Sequence, residues 1–277
     1  MIKVNGKPYV RETYPDGTRK MQGYFYAPVS FEEEGYDESV IEIQWFFDSE
    51  DEILDLLYIT AHLTSIGVHY CLFMPYIPNA RNDRVHGEDE VFTLKYFAHF
   101  LNNLGFEKVF VLDPHSHVSE ALINRVCPIK QELKRLILQA VLSPKTGGPD
   151  NLTLCYPDEG AMKRYTDLVS NPYVFGIKKR DWKTGNILGL DVMGDTALIE
   201  GKNILIVDDI CSKGGTFYHT SKKLKEMGAS KVFLYVTHCE NTIFEGELLK
   251  DNGLIERIFT TDSIFRGEHE KIEVFKL

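Results

Sequence analysis

Apolar positions recur along this chain in two alternating rhythms. From Asp51 to Ile66 they fall three and four residues apart, with Ile53, Leu56, Leu57 and Leu63 on one stripe, and Gly67 follows. That spacing predicts an amphipathic helix stopped by the glycine. Tyr70 to Met74 is a short unbroken apolar run ended by Pro75, the pattern of a buried strand. A second helical stripe carries Phe92, Tyr96, Phe97, Phe100 and Leu104, Gly105 closes it, and Val109 to Leu112 reads as the next strand. Further on, Asn203 to Val207 reads as a strand, Thr216 to Met227 as a helix ended by Gly228, and Val232 to Val236 as a strand. Strands alternating with amphipathic helices predict an α/β fold with largely parallel sheets.

The rhythm repeats. Gly105-Phe-Glu-Lys-Val-Phe-Val-Leu-Asp-Pro-His115 and Gly228-Ala-Ser-Lys-Val-Phe-Leu-Tyr-Val-Thr-His238 both run glycine, strand, histidine at the same offset. Two good strands can look alike by chance; the other reading is two similar α/β domains in tandem. On that reading Lys145-Thr146-Gly147-Gly148-Pro149 is the best linker signal, giving domains at 1–144 and 145–277. Near the start, Asn5-Gly6 and Asp16-Gly17 predict β-hairpin turns, and Phe31-Glu32-Glu33-Glu34-Gly35 reads as an exposed acidic loop.

A length of 277 residues with 43% apolar and 26% charged residues suits one large or two ordinary domains. The net charge of −10 argues against nucleic acid, which needs a basic face. A small anion is still compatible, because a few backbone N–H groups and local cations hold one. Five cysteines occur without C-x-x-C spacing, so neither a disulfide framework nor a structural zinc site is expected. Neither a leader-like start nor a membrane-length apolar run is present, and a cytoplasmic, non-membrane setting is expected.

The chemistry concentrates in Val207-Asp208-Asp209-Ile210-Cys211-Ser212-Lys213-Gly214-Gly215-Thr216. In an open parallel sheet, ligands bind at the carboxyl ends of strands. Gly214 and Gly215 let backbone N–H groups approach a phosphate, and the following helix adds its positive N-terminus. Ser212 and Thr216 supply hydroxyl donors, and Lys213 a cation. Asp208 and Asp209 do not bind phosphate themselves, and ribose hydroxyls are suitable partners for them. A plain strand–turn–helix with acidic caps would need fewer of these features.

This decapeptide resembles the phosphoribosyl diphosphate (PRPP) motif of the type I phosphoribosyltransferase fold. Other segments resemble the ribose-phosphate pyrophosphokinases, or PRPP synthetases, in which two such domains lie in tandem and only the second keeps the motif. These are Tyr14-Pro15-Asp16-Gly17, Pro75 to Arg84, Asp113-Pro114-His115, Pro157-Asp158-Glu159-Gly160 with Arg164, and Lys178-Lys179-Arg180. The resemblance implies diphosphoryl transfer from ATP to the 1-hydroxyl of a ribose phosphate, with AMP leaving and Mg²⁺ required. It implies that Tyr14 and Asp16 meet adenine, reaching the site of a neighbouring subunit in a homo-oligomer. Arg81, Asn82 and Asp83 would hold ATP. His115 and Asp158 would hold Mg²⁺, directly or through water. Lys178 and Arg180 would steady the transferring phosphates from a mobile loop, although Lys179 with Arg180 is an equally open registration. Asp208, Asp209 and residues 212–216 would take the sugar phosphate.

The chain departs from the family pattern in three places. The adenine loop comes about a dozen residues in, as though an opening strand–helix unit were trimmed. Thr18 stands where the family has Glu, and Ser212-Lys213 where it has Asp-Thr. The last change makes the phosphate loop more positive, so ADP-ribose stands beside ribose 5-phosphate as a candidate acceptor. A transferase that consumes PRPP and a non-catalytic regulatory homologue are the remaining rivals.

Overall fold

The structure, a computed structural model, describes residues 1–22, 40–85, 87–180, 187–250 and 253–277, and the side chains of 178–180 and 187–190 are also outside it. The acidic loop expected at Phe31 to Gly35 lies outside the described residues. The chain divides into two compact units, Met1–Ile129 and Lys130–Leu277. Both are α/β units with parallel-rich sheets.

In the first unit the sheet runs Lys7–Pro8, Ile2–Val4, Ile41–Trp45, Tyr70–Phe73, Val109–Val111, Val126–Pro128. The last four strands are mutually parallel, and Ile2–Val4 joins antiparallel to Ile41–Trp45. Asn5 and Gly6 have φ of 49° and 73°, the double left-handed turn that closes the first hairpin. The helix Glu52–Ser65 buries Leu56, Ile59, Thr60 and Leu63, while Leu57 is exposed. Leu57 is one step of about 100° away from Leu56, which takes it off the core face. The helix Thr93–Asn103 likewise buries Leu94, Phe97, Ala98 and Leu101, leaving Tyr96 exposed. Size alone had assigned Tyr96 to the apolar stripe; the 3.6-residue period assigns Leu94 and Leu101 instead.

A small hairpin, Glu12–Thr13 with Arg19–Lys20, carries the Tyr14 to Gly17 turn. Its anchor is Asp55, only 1% exposed, on the first helix. Asp55 accepts from Arg11 Nε at 2.8 Å and from Arg19 Nε at 2.6 Å.

In the second unit the order is Ile187–Met193, Tyr173–Arg180, Leu152–Tyr156, Asn203–Cys211, Lys231–Cys239, Arg257–Thr261, Ile272–Phe275. All neighbours are parallel except the first pair. The helix Lys130–Val141 belongs to this unit and buries Leu133, Leu136, Ile137, Ala140 and Val141. The glycine run at 145–149 therefore lies inside the second unit, some way past the division at Ile129. Gly147 and Gly148 adopt φ of 85° and 81° in a packed turn, and Asn203 Nδ2 donates to Thr146 O at 2.9 Å beside it.

The repeat is present in three dimensions. In each unit a helix ends at a left-handed glycine, Gly105 (φ 78°) or Gly228 (φ 90°), and a parallel strand follows beside its predecessor. The aligned histidines differ. His115 is half-buried beyond its short strand, whereas His238 is buried inside Lys231–Cys239 with Nδ1 2.8 Å from Ser263 Oγ.

Candidate functional site

The motif strand is longer than its apolar run. It continues to Cys211, so Asp208 and Asp209 lie within the strand, two residues before its end. Parallel pairing with Lys231–Cys239 extends through Asp208, Ile210 and Cys211, and Glu240 N–H donates to Cys211 O at 2.8 Å. Ser212 and Lys213 then turn into Gly214 (φ 76°), and the helix Gly215–Glu226 begins. Its N-cap residue is Gly214, which has no side chain to cap it. Its first N–H groups and its dipole face the carboxyl edge of the sheet, an anion cradle in physical terms.

The two glycines have different jobs. A methyl group at Gly214 would lie 2.1 Å from Leu248 Cδ1, so packing and positive φ both demand glycine there. A methyl at Gly215 would meet no protein atom within 4 Å. The loop is braced from outside by residues that carry no sequence signal of their own. A methyl at Gly246 would sit 1.9 Å from Lys213 O, so the two backbones touch. Lys213 Nζ is held by Glu245 Oε2 at 2.7 Å, which offsets the positive charge added by this loop.

Carboxylates gather beside the loop. Asp208 is pushed well above the usual carboxylate range, first by burial, then by the negative charges of Asp209 and Asp158. Buried Asp209 has the Arg164 guanidinium 3.5 Å from Oδ1. Asp158 caps the helix Glu159–Tyr165, with Oδ1 accepting from Ala161 N–H at 3.0 Å, and that helix aims Arg164 at Asp209. Among the described residues no three His, Cys, Asp or Glu side chains enclose a metal by themselves. Mg²⁺ does not require that, since one or two carboxylates and substrate phosphates commonly suffice. The carboxylate concentration at Asp208 and Asp158 fits such an ion, which would relieve the charge that raises Asp208.

In the first unit, Met74, Ile77 and Ala80 are buried and pin the segment that bears Arg81 and Arg84 at its surface. This segment follows the strand Tyr70–Phe73, just as Ser212–Gly214 follows Asn203–Cys211, so it is the repeat's counterpart of the glycine loop. Asn82 Oδ1 accepts from Thr93 N–H at 2.9 Å and its amide donates to Glu90 at 3.3 Å, which commits the side chain to starting the next helix. Asp83 is half-buried, 3.9 Å from Arg84 Nε. His115 follows Asp113, which is buried and has φ of 45°. Tyr14 is exposed. Asp16 Oδ1 accepts from Thr18 N–H at 2.9 Å and from its hydroxyl at 2.7 Å, and those bonds hold its pKa below the ordinary value.

The basic run expected in a loop is backbone strand. Lys178 pairs with Leu190 and Lys179 with Gly189, and the register shifts between Lys179 and Arg180. Its antiparallel partner Ile187–Met193 carries no comparable signal in the sequence. The side chains of Lys178 and Arg180 lie outside the described residues, as do residues 181–186.

No protein-family model matches the chain. Curated relatives do. A ribose-phosphate pyrophosphokinase of Marinomonas sp. (strain MWYL1) is 27% identical over 223 residues, 78% of this chain and 68% of that protein. One from Vibrio parahaemolyticus serotype O3:K6 (strain RIMD 2210633) is 28% identical over 197 residues, 69% of this chain and 60% of that protein. The aligned part thus spans about two thirds or less of these two relatives. Among solved structures, the phosphoribosylpyrophosphate synthetase from Mycobacterium smegmatis matches with a TM-score of 0.62 at 20% identity, over 81% of this chain and 73% of that one, and shares its fold.

Proposed function

We propose that this homologue of the ribose-phosphate pyrophosphokinases transfers the diphosphoryl group of ATP to the 1-hydroxyl of ribose 5-phosphate, giving PRPP and AMP. The observation that carries the reading is the helix N-terminus behind Gly214 and Gly215, set beside half-buried Asp208 and buried Asp209. Backbone N–H groups of the loop, with Ser212 and Thr216, take the 5′-phosphate, and Asp208 takes ribose hydroxyls. Asp158, beside Asp208 in the second unit, and separately His115 in the first would each bind Mg²⁺, which would supply charge neutralisation to phosphates. Arg81 takes ATP phosphates, and Tyr14 and Asp16 approach adenine. Asn82 and Asp83 act on ATP by shaping the Arg81 segment. Lys178 and Arg180 stabilise charge on the group in transfer.

The test is AMP formation from ATP and Mg²⁺, with and without ribose 5-phosphate. AMP that appears only with the sugar phosphate is the expected result. If neither ribose 5-phosphate nor ADP-ribose yields AMP, the reading fails. Diphosphate release from PRPP and a nucleobase without ATP would instead identify a transferase. ADP-ribose is the second acceptor to compare because Lys213 makes the loop more cationic. The Glu245 carboxylate already pairs with that charge, so Lys213 alone leaves ribose 5-phosphate ahead.

A further inference from the structure

A two-stranded hairpin alone is marginally stable in water at best. The one that carries Tyr14 to Gly17 is built from Glu12–Thr13 and Arg19–Lys20, and among the described residues it pairs with no other strand. Residues 12–18 are all exposed, so the turn buries nothing. Its conformation is nevertheless fixed at several points. Tyr14 N–H donates to Thr18 O at 2.8 Å, and Gly17 N–H to Tyr14 O at 2.9 Å. Lys20 Nζ lies 2.9 Å from Glu12 Oε2. At the base, Tyr9 and Met21 rest against the core, and the Tyr9 hydroxyl donates to Met21 Sδ at 2.9 Å.

Close packing does not set the angle at which this hairpin leaves the unit. A cavity of about 180 Å³ opens among Tyr9, Arg11, Ser49, Glu52 and Asp55 at its base. Charge sets the angle instead. Arg11 and Arg19, one on either side of the turn, both donate to the Asp55 carboxylate, Arg11 to Oδ2 and Arg19 to Oδ1. Arg19 Nη2 also donates to Asp51 O at 2.6 Å. Asp55 stands on the inward face of the helix Glu52–Ser65, whereas the outward face shows Leu54, Leu57 and Tyr58. The helix therefore hides a carboxylate and exposes apolar side chains, the reverse of the ordinary arrangement. A buried ion pair is a poor device for stability, because desolvation offsets much of the attraction. It is a good device for direction, since two guanidinium forks on one carboxylate admit few orientations.

We propose that Asp55 is a positioning residue for the nucleotide substrate: by gripping Arg11 and Arg19 together, it fixes where the Tyr14–Gly17 turn holds the Tyr14 ring. This rests on the reading that Tyr14 and Asp16 approach adenine. The test is steady-state AMP formation by the whole chain, with ATP and ribose 5-phosphate varied separately. The variants are Tyr14→Ala, Asp55→Asn, the two combined, and Arg11→Gln, which leaves Arg19 on the carboxylate. Circular dichroism at the assay temperature identifies those that fold. Tyr14→Ala is expected to raise the KM for ATP about tenfold, the effect of one lost base stack. Asp55→Asn is expected to raise it about three- to tenfold, with kcat and the KM for ribose 5-phosphate within about twofold of the parent. The combined variant is expected to match Tyr14→Ala alone, because Asp55 acts through that ring. Arg11→Gln is expected to raise the KM for ATP by a smaller factor, and it decides the question if Asp55→Asn does not fold. Effects that add in the combined variant, or equal rises in KM for both substrates, overturn the positioning role and leave Asp55 structural only. A KM for ATP that Tyr14→Ala raises but the clasp variants do not overturns the clasp and leaves the adenine reading standing. An unchanged KM in Tyr14→Ala, or no AMP from the parent, overturns that reading and the inference with it.

Discussion

Gly214 and Gly215 are adjacent, and the structure requires opposite outcomes from replacing them with alanine. At Gly214 the left-handed backbone costs an L-residue about 1–2 kcal/mol. The methyl would also press on Leu248 from 2.1 Å, and overpacking of that kind costs about 1–3 kcal/mol. Gly214→Ala should therefore lower stability by about 2–5 kcal/mol. At Gly215 the methyl meets nothing, and alanine is the better helix former by up to about 1 kcal/mol. Gly215→Ala should match or exceed the parent in a urea titration. Its effect falls on binding, where the methyl enters the space a phosphate oxygen would use. Loss of one hydrogen bond to a charged group costs about 1.5–3 kcal/mol, roughly ten- to hundredfold in ribose 5-phosphate affinity by calorimetry. If Gly215→Ala binds as tightly as the parent, the backbone does not cradle phosphate there. If Gly214→Ala unfolds at the parent's urea midpoint, the packing argument is wrong.

Three further outcomes are expected. Asp208 has a raised pKa in the folded state, so it opposes folding once pH exceeds its unfolded value near ~3.9, increasingly until the folded value is passed. Asp208→Asn should therefore be the more stable protein at pH 7 and lose that advantage below about pH 3.9 in urea titrations; an advantage that persists in acid would refute the assignment. Asp55→Ala leaves Arg11 and Arg19 without their shared carboxylate and should cost about 3–5 kcal/mol, the range for a broken buried pair, measured by denaturant midpoint. Replacing Lys178 and Arg180 together with alanine should lower AMP formation about a hundredfold or more while ribose 5-phosphate binding persists, and unchanged turnover would remove both from the mechanism.

The sequence was most legible where one physical rule acted alone. The helix from Glu52, the strand from Tyr70 and the glycine-terminated helices followed from period and punctuation. Asn5-Gly6 followed from the need for two positive φ values. Leu57 and Tyr96 were misassigned because hydrophobicity was allowed to outweigh angular position. The strand pair Tyr173–Arg180 and Ile187–Met193 escaped because Lys178 to Arg180 reads as a basic surface run, and charge hides a strand whose neighbour is distant in sequence. At the site, Asp208 to Thr216 stood out because each residue type had a separate chemical reason to be there. The residues that brace it did not. Glu245, Gly246 and Leu248 act through contacts some 30 residues downstream, and a lone glycine or leucine announces nothing about what it touches.

That bracing bears on the thermodynamics of recognition. With Gly214 trapped under Leu248 and the Lys213 carbonyl lying on Gly246, the turn is shaped before any ligand arrives. A preformed cradle has little loop freedom left to surrender on association. Sugar-phosphate binding to this loop should then be fast and show a small heat-capacity change. The large negative change of a segment that folds around its ligand would be absent.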